Sequence, residues 1–164
     1  MYQADDYVLY KKDVCKVREV KKNKMNSLDY YILVPIDDPS LIIDVPADNR
    51  MGYIRDIISK EEAEELINNI PNIKTLENIE DKNIENTYKN LIYNGTREDL
   101  IKIIKTSFLR NQDRINNKKK ISDKDSNYFN KAEQYLYNEL SIALNMTFDE
   151  TKEYVIKKVQ ELIK

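Results

Sequence analysis

Apolar and polar residues alternate over the first third of the chain and recur at helical spacing over the rest, with the change near residue 58. Val8-Leu9-Tyr10 is a short apolar run. Val14, Lys16, Arg18 and Val20 alternate with Cys15, Val17 and Glu19. Leu28 to Val34 is rich in Tyr, Ile, Leu and Val and is closed by Pro35, and Leu41-Ile42-Ile43-Asp44-Val45 is closed by Pro46. Period-two runs of β-branched and aromatic residues predict strands, and the polar stretches Asn23–Ser27 and Asp37–Ser40 predict the turns between them. A short fifth strand is expected through Tyr53-Ile54. Short strands with short connections point to a small, strongly bent antiparallel sheet or barrel.

Beyond residue 58 the pattern is helical. Four starts carry a hydroxyl residue with an acid three positions on: Ser59/Glu62, Thr96/Asp99, Ser122/Asp125 and Thr147/Glu150. The side chains of such a capping box satisfy amide donors at a helix start, and Asp reaches less well than Glu. Apolar stripes follow: Ala63, Leu66, Ile67, Ile70; Leu100, Ile103, Ile104, Phe108; Phe129, Ala132, Leu136, Leu140, Ala143; and Val155, Val159, Leu162. A shorter helix over about 83–93 carries Ile84, Tyr88, Leu91 and Ile92 and stops at Asn94-Gly95, where glycine is expected in the left-handed position after a helix. The helix from Ser59 is expected to end at Pro71, with a polar linker over 72–82. The expected organisation is an α+β chain: a β domain over 1–58, a connecting helix and linker over 59–82, and an all-α helical domain over 83–164.

Composition narrows the chemistry. The 164 residues include no His, one Cys and two separated Gly. No Walker loop or dinucleotide fingerprint can be built from them, nor a Ser-His or Cys-His pair, nor a histidine zinc site. Cys15 forms no internal disulfide, which fits a reducing cytosol, and in a strand it is expected to act as a small hydrophobe. Acids at Asp5 and Asp6 stand where a signal peptide carries bases, and the apolar runs are too short for a membrane helix. Carboxylate pairs such as Asp37/Asp38 and Glu61/Glu62 fall in turns or at a helix start, where acids favour the positive end of the dipole. No catalytic constellation, metal or cofactor is expected.

The net charge is −2, but the signs separate within the helical part. Residues 61–82 carry 7 acids and 2 bases, and residues 102–131 carry 9 bases and 3 acids. Arg110, Arg114, Lys118, Lys119 and Lys120 dominate the second stretch. Such a run either neutralises phosphates or forms an ordinary solvated face. Tyr88 and Tyr128 either stack on bases or pack in the core, since each lies on a helical stripe.

The order of a small β domain, then Val45-Pro46-Ala47-Asp48-Asn49, then Gly52-Tyr53-Ile54-Arg55-Asp56-Ile57-Ile58-Ser59, resembles the CarD/CdnL family of bacterial RNA-polymerase-binding transcription factors. Tyr88-Lys89, Phe108-Leu109-Arg110 and the run from Lys131-Ala132 through Leu136, Glu139-Leu140 and Ala143-Leu144 resemble its helical half. The resemblance implies a Tudor/SH3-like N-terminal domain docking on the lobe of the polymerase β subunit. It also implies a helical domain touching promoter DNA at the upstream edge of the melted bubble, where an aromatic wedge enters the minor groove and stabilises the open complex.

On this reading the polymerase-facing residues are Lys22, Asn23, Lys24, Met25, Ile43 and Asp44, from the 20–26 hairpin and the strand at 41–45. The DNA-facing residues are Ile84, Asn86, Tyr88 and Lys89, with Arg110, Arg114, Lys118, Lys119 and Lys120 on phosphates. Ile84 stands where the family's tryptophan would be, and is either an apolar wedge or a core residue. Asn23 or Lys24, and Asp44, stand where the family carries arginines, so the docking surface keeps its shape and changes its charge. The expected function is non-enzymatic transcription regulation at the cytoplasmic nucleoid, with no membrane and no small-molecule substrate. The alternative is a polymerase-binding adaptor without productive DNA contact.

Overall fold

A computed structural model describes residues 1–22 and 27–164. The chain divides into two compact units, Met1–Ile58 and Ser59–Lys164.

The first unit is a curled antiparallel sheet, the small Tudor/SH3-like arrangement. Its strands are β1 (Tyr7–Tyr10), β2 (Asp13–Lys21), β3 (Tyr30–Pro35), β4 (Ile43–Pro46) and β5 (Ile54–Asp56). Their spatial order is β4-β3-β2-β1-β5: a meander of four strands whose first strand also pairs with the last. Val8, Cys15, Val17, Tyr31, Leu33, Val45 and Ile54 form the core. A strict two-residue period along β2 would place Val20 on the face opposite Val17. Instead the register slips, with Val17 opposite Leu33 and Glu19 opposite Ile32, so Arg18 is the extra residue of a bulge. The bulge switches the facing parity and lets Val20 pack on the same core as Val17.

Asn49 explains the sequence signature after β4. With φ +51° it turns the chain, and its side-chain amide then imitates a neighbouring strand. Nδ2 donates to the Ile54 carbonyl at 2.9 Å while Oδ1 accepts from the Ile54 amide at 3.0 Å. The main-chain groups of Ile54 at the edge of β5 are thereby satisfied by a side chain. Gly52 sits in the same turn at φ +70°, a conformation that a side chain would strain.

The second unit holds α1 (Lys60–Asn69), a 3-10 turn (Ile70–Asn72), α2 (Asp81–Asn94), α3 (Arg97–Asn116), α4 (Asp123–Leu144) and α5 (Phe148–Leu162). α4 is central and touches α1, α2, α3 and α5. Ala132, Leu136 and Leu140 run along its buried stripe, and Ala63, Ile67, Tyr88, Ile92, Leu100, Ile103 and Val155 are buried on the surrounding helices. Residues 59–82 fall inside this unit. α1 packs on α4 and α5, Lys105 of α3 donates to the Ile70 and Ile73 carbonyls, and the Leu76 amide donates to Thr106 Oγ1 at 2.9 Å. Phe108, expected on the core stripe of α3, is 51% exposed, with its ring 6.2 Å from that of Phe129. Among the described residues no helix is long and apolar enough to cross a membrane.

The caps follow the sequence pattern. Thr96/Asp99 and Thr147/Glu150 make complete reciprocal boxes, so the shorter Asp99 side chain does reach the Thr96 amide. At Ser59 and Ser122 the hydroxyl accepts the expected amide. Gly95 corrects the sequence expectation: its φ is −90° and ψ −176°, extended rather than left-handed. Glycine is needed there for closeness. A Cβ would lie 2.4 Å from the Leu91 carbonyl oxygen and within 2.9 Å of two Asp99 side-chain atoms. Gly95→Ala is therefore expected to destabilise the helical unit by about 1–3 kcal/mol, read as a lower urea midpoint at unchanged slope.

Candidate nucleic-acid interface

The helical unit sorts its cations into two groups. Arg110 and Arg114 lie four residues apart on α3 and share one face. Asp125 lies in the first turn of α4, where its amide caps on Ser122 Oγ at 3.2 Å. Packing α3 on α4 brings the three together. Asp125, only 1% exposed, accepts from Arg114 at 2.6 Å, from Arg110 Nε at 3.1 Å and from the Tyr88 hydroxyl at 2.7 Å. Arg110 also reaches Asp81 at 3.0 Å. Burial by itself would raise the Asp125 pKa. The hydrogen bonds from Arg114 and Tyr88, with the Arg110 charge, outweigh burial and hold it below its ordinary value. Burial, and then the Asp125 bond and charge, push the Tyr88 hydroxyl well above its ordinary value.

Of the residues expected on DNA, this arrangement removes several from the surface. Ile84 is 3% exposed and Tyr88 is fully buried, so in this fold neither a wedge at Ile84 nor base stacking at Tyr88 is presented to a ligand. The reason is their place on the buried stripe of α2 with Ile92. Arg110 and Arg114 are committed to Asp125. Lys118, Lys119 and Lys120 are exposed in the turn between α3 and α4, and Asn86 and Lys89 are exposed on α2, with Lys89 3.5 Å from Glu85.

The structure also assembles a surface of which the sequence singles out Tyr128 alone. Glu85, Lys124, Asn127, Tyr128 and Lys131 line an open cavity of about 460 Å³ between α2 and α4. Lys124 reaches Glu85 at 3.4 Å. Lys131 donates to the Tyr93 hydroxyl at 2.7 Å and lies 4.9 Å from the centre of that ring, which is 58% exposed. The Tyr93 bond raises the Lys131 pKa above its ordinary value, against the opposing effect of burial. Lys124, Tyr128, Lys131 and Tyr135 are spaced four, three and four residues apart, which is one face of one helix. That alternation of cation and ring was the available signal. Lysines around ring faces can neutralise phosphates and offer stacking surface in one place.

On the β unit, Lys22 is exposed and pairs with Asp29 at 2.9 Å. Ile43 is half-buried against the core, and Asp44 is exposed on β4, an edge strand of the sheet. Asn23, Lys24 and Met25 lie outside the described residues. Among the described residues no group of His, Cys, Asp or Glu could hold a metal ion. No protein-family model matches the chain, and no curated protein is detectably similar to it.

Breaking the Asp125 cluster tests its role. Asp125→Asn leaves two half-buried guanidinium groups short of a counter-charge and is expected to cost about 3–5 kcal/mol. The carboxylate's pKa is depressed on folding, so its stabilisation is complete above the ordinary carboxylate range and is lost as pH falls through the depressed value. Urea unfolding of Asp125→Asn across acidic pH is expected to show a flatter decline in stability than the parent.

Proposed function

We propose that this chain is a non-enzymatic transcription regulator of the CarD/CdnL kind, whose β unit grips the RNA polymerase β subunit while its helical unit holds promoter DNA at the upstream bubble edge and prolongs the open complex. The observation that carries the DNA half is the surface of Lys124 and Lys131 beside Tyr128, with Lys131 over the exposed ring of Tyr93. Support for the polymerase half comes from the small curled sheet with β4 at its edge, because an edge strand offers unpaired main-chain groups to a partner strand. As a polymerase-bound factor it would work at the cytoplasmic nucleoid.

The physics of this reading is consistent with the charge. A net charge of −2 suits a tethered contact better than a free-standing DNA binder, for which a strongly basic domain is expected. Tethering raises the local DNA concentration, so the DNA contact itself can be weak. A contact that binds melted promoter better than closed promoter shifts the equilibrium by that difference, and about 1.4 kcal/mol corresponds to tenfold. With Ile84 in the core, the phosphate and stacking contacts pass to the Lys–Tyr face and the Lys118–Lys120 turn.

A second reading is favoured by one specific observation. Ile84, Tyr88, Arg110 and Arg114 are all turned into the fold, which strips much of the expected DNA contact and suits a polymerase-binding adaptor.

Open-complex lifetime on a promoter, measured with and without the protein, separates the two. The regulator lengthens it; an adaptor binds a β-lobe fragment and leaves it unchanged. For the regulator, Lys124→Ala with Lys131→Ala is expected to remove most of the gain and to lower the salt slope of forked-DNA binding by about two. Ile84→Ala is expected to behave as a core truncation, lowering unfolding free energy by about 2–5 kcal/mol. If that variant stays fully stable while selectively losing the lifetime effect, Ile84 is a wedge after all.

A further inference from the structure

Concavity separates the Lys–Tyr face of α4 from an ordinary basic patch. The cavity between α2 and α4 holds about 460 Å³, within the size range of ligand sites, and is lined by Glu85, Lys124, Asn127, Tyr128 and Lys131. A duplex offers its phosphates from outside and keeps its base faces covered by their neighbours. An unpaired nucleotide offers one base face and one phosphate together.

The ring in this cavity is held from within the fold. Tyr128 is half-buried and braced by the ring of Tyr88, with centroids 5.3 Å apart and planes at 41°. Tyr88 is fully buried, and its hydroxyl donates to Asp125 at 2.7 Å. A platform already fixed by packing loses little freedom when a base stacks on it. Asn127 is exposed beside it, and an amide that both donates and accepts can meet the edge of any base.

The charges suit one phosphate rather than a row of them. Glu85 holds a lysine on each oxygen, Lys89 at 3.5 Å and Lys124 at 3.4 Å. The Glu85 side chain is 38% exposed, and ion pairs so open to water are weak. Lys131 is engaged by Tyr93 and lies 5.9 Å from the centre of the Tyr135 ring. Phosphates laid in series across α2 and α4 would meet Glu85 as a like charge. A single phosphate has only to exchange with the carboxylate at Lys124.

We propose that this cavity receives one unpaired nucleotide of a single strand, its base stacked on Tyr128 and its phosphate drawing Lys124 away from Glu85. The inference deepens the promoter-DNA reading and rests on it: the ligand is the melted strand rather than the duplex beside it, held whatever its base. Glu85 is the built-in competitor that keeps this contact weak until a polymerase-bound factor is placed beside melted DNA.

The test uses the full chain, isotopically labelled, with three probes: a strand of seven thymidines, the same backbone with every base removed, and a short blunt duplex. At millimolar concentration the thymidine strand is expected to shift the backbone amides of Lys124, Asn127 and Tyr128. It is expected to bind about tenfold more tightly than the abasic strand or the duplex. Tyr128→Leu is expected to erase the difference between the thymidine and abasic strands, and Tyr128→Phe, which keeps a ring, to retain it; the same spectra report folding. Glu85→Gln is expected to tighten both strands alike, by about threefold. An abasic strand or duplex that binds as tightly as the thymidine strand, no response to any probe, or a Glu85→Gln chain that gains nothing overturns the proposal. Open-complex lifetime is read separately. If the protein leaves it unchanged while the preference for the base-bearing strand stands, the promoter reading falls and the nucleotide site does not. If the parent and Tyr128→Leu lengthen it equally, the nucleotide site falls alone.

Discussion

A single buried carboxylate organises the helical unit. Asp125 sits in the first turn of α4, yet its hydrogen bonds run to Tyr88 on α2 and to Arg110 and Arg114 on α3. A charge taken out of water is costly unless it is paired and hydrogen-bonded, so any register of the three helices that failed to bring these partners together would leave it stranded. The cluster therefore acts less as a source of net stability than as a penalty on wrong packing. Arg97 and Glu139 repeat the device between the start of α3 and the last third of α4, with two bonds of 2.8 and 2.6 Å. Glu139 is only 4% exposed.

This division of labour shapes the surface. All three arginines of the second unit, Arg97, Arg110 and Arg114, are spent on buried acids. The planar guanidinium fork suits a buried carboxylate, whereas the strongly hydrated ammonium of lysine is left outside. The positive charge that faces solvent on α2, on α4 and in the turn at 118–120 is accordingly lysine. A lysine surface binds phosphate as point charges, without the bidentate reading of base edges that arginine allows. The proposed DNA contact is then one that follows backbone and exposed rings rather than sequence, which matches a factor placed by its polymerase partner.

The β unit relies on a different economy of groups. The sheet is small, and its register depends on a bulge at Arg18 and on Asn49, whose side chain stands in for a strand beside Ile54. Asn49 thereby occupies the main-chain groups of Ile54 on one edge strand, and β4 is the other edge strand.

Much of this was legible without coordinates. The strands, closed by Pro35 and Pro46, and the four capped helix starts follow from alternation, helical spacing and hydroxyl–acid pairs. These are local properties of the backbone, readable within a few residues. The bulge in β2 was not readable, because it depends on what Leu33 and Ile32 offer from the next strand. Gly95 was misread because its reason is contact with Asp99 and Leu91 rather than its own torsion. For the charged residues, the sequence determined that Arg110 and Arg114 share a face of α3 and that Lys124 and Lys131 share one of α4. Only the packing of α3 and α2 against α4 decided which of those faces met a buried carboxylate and which met water, since helical periodicity sets relative angle and carries no information about the neighbour.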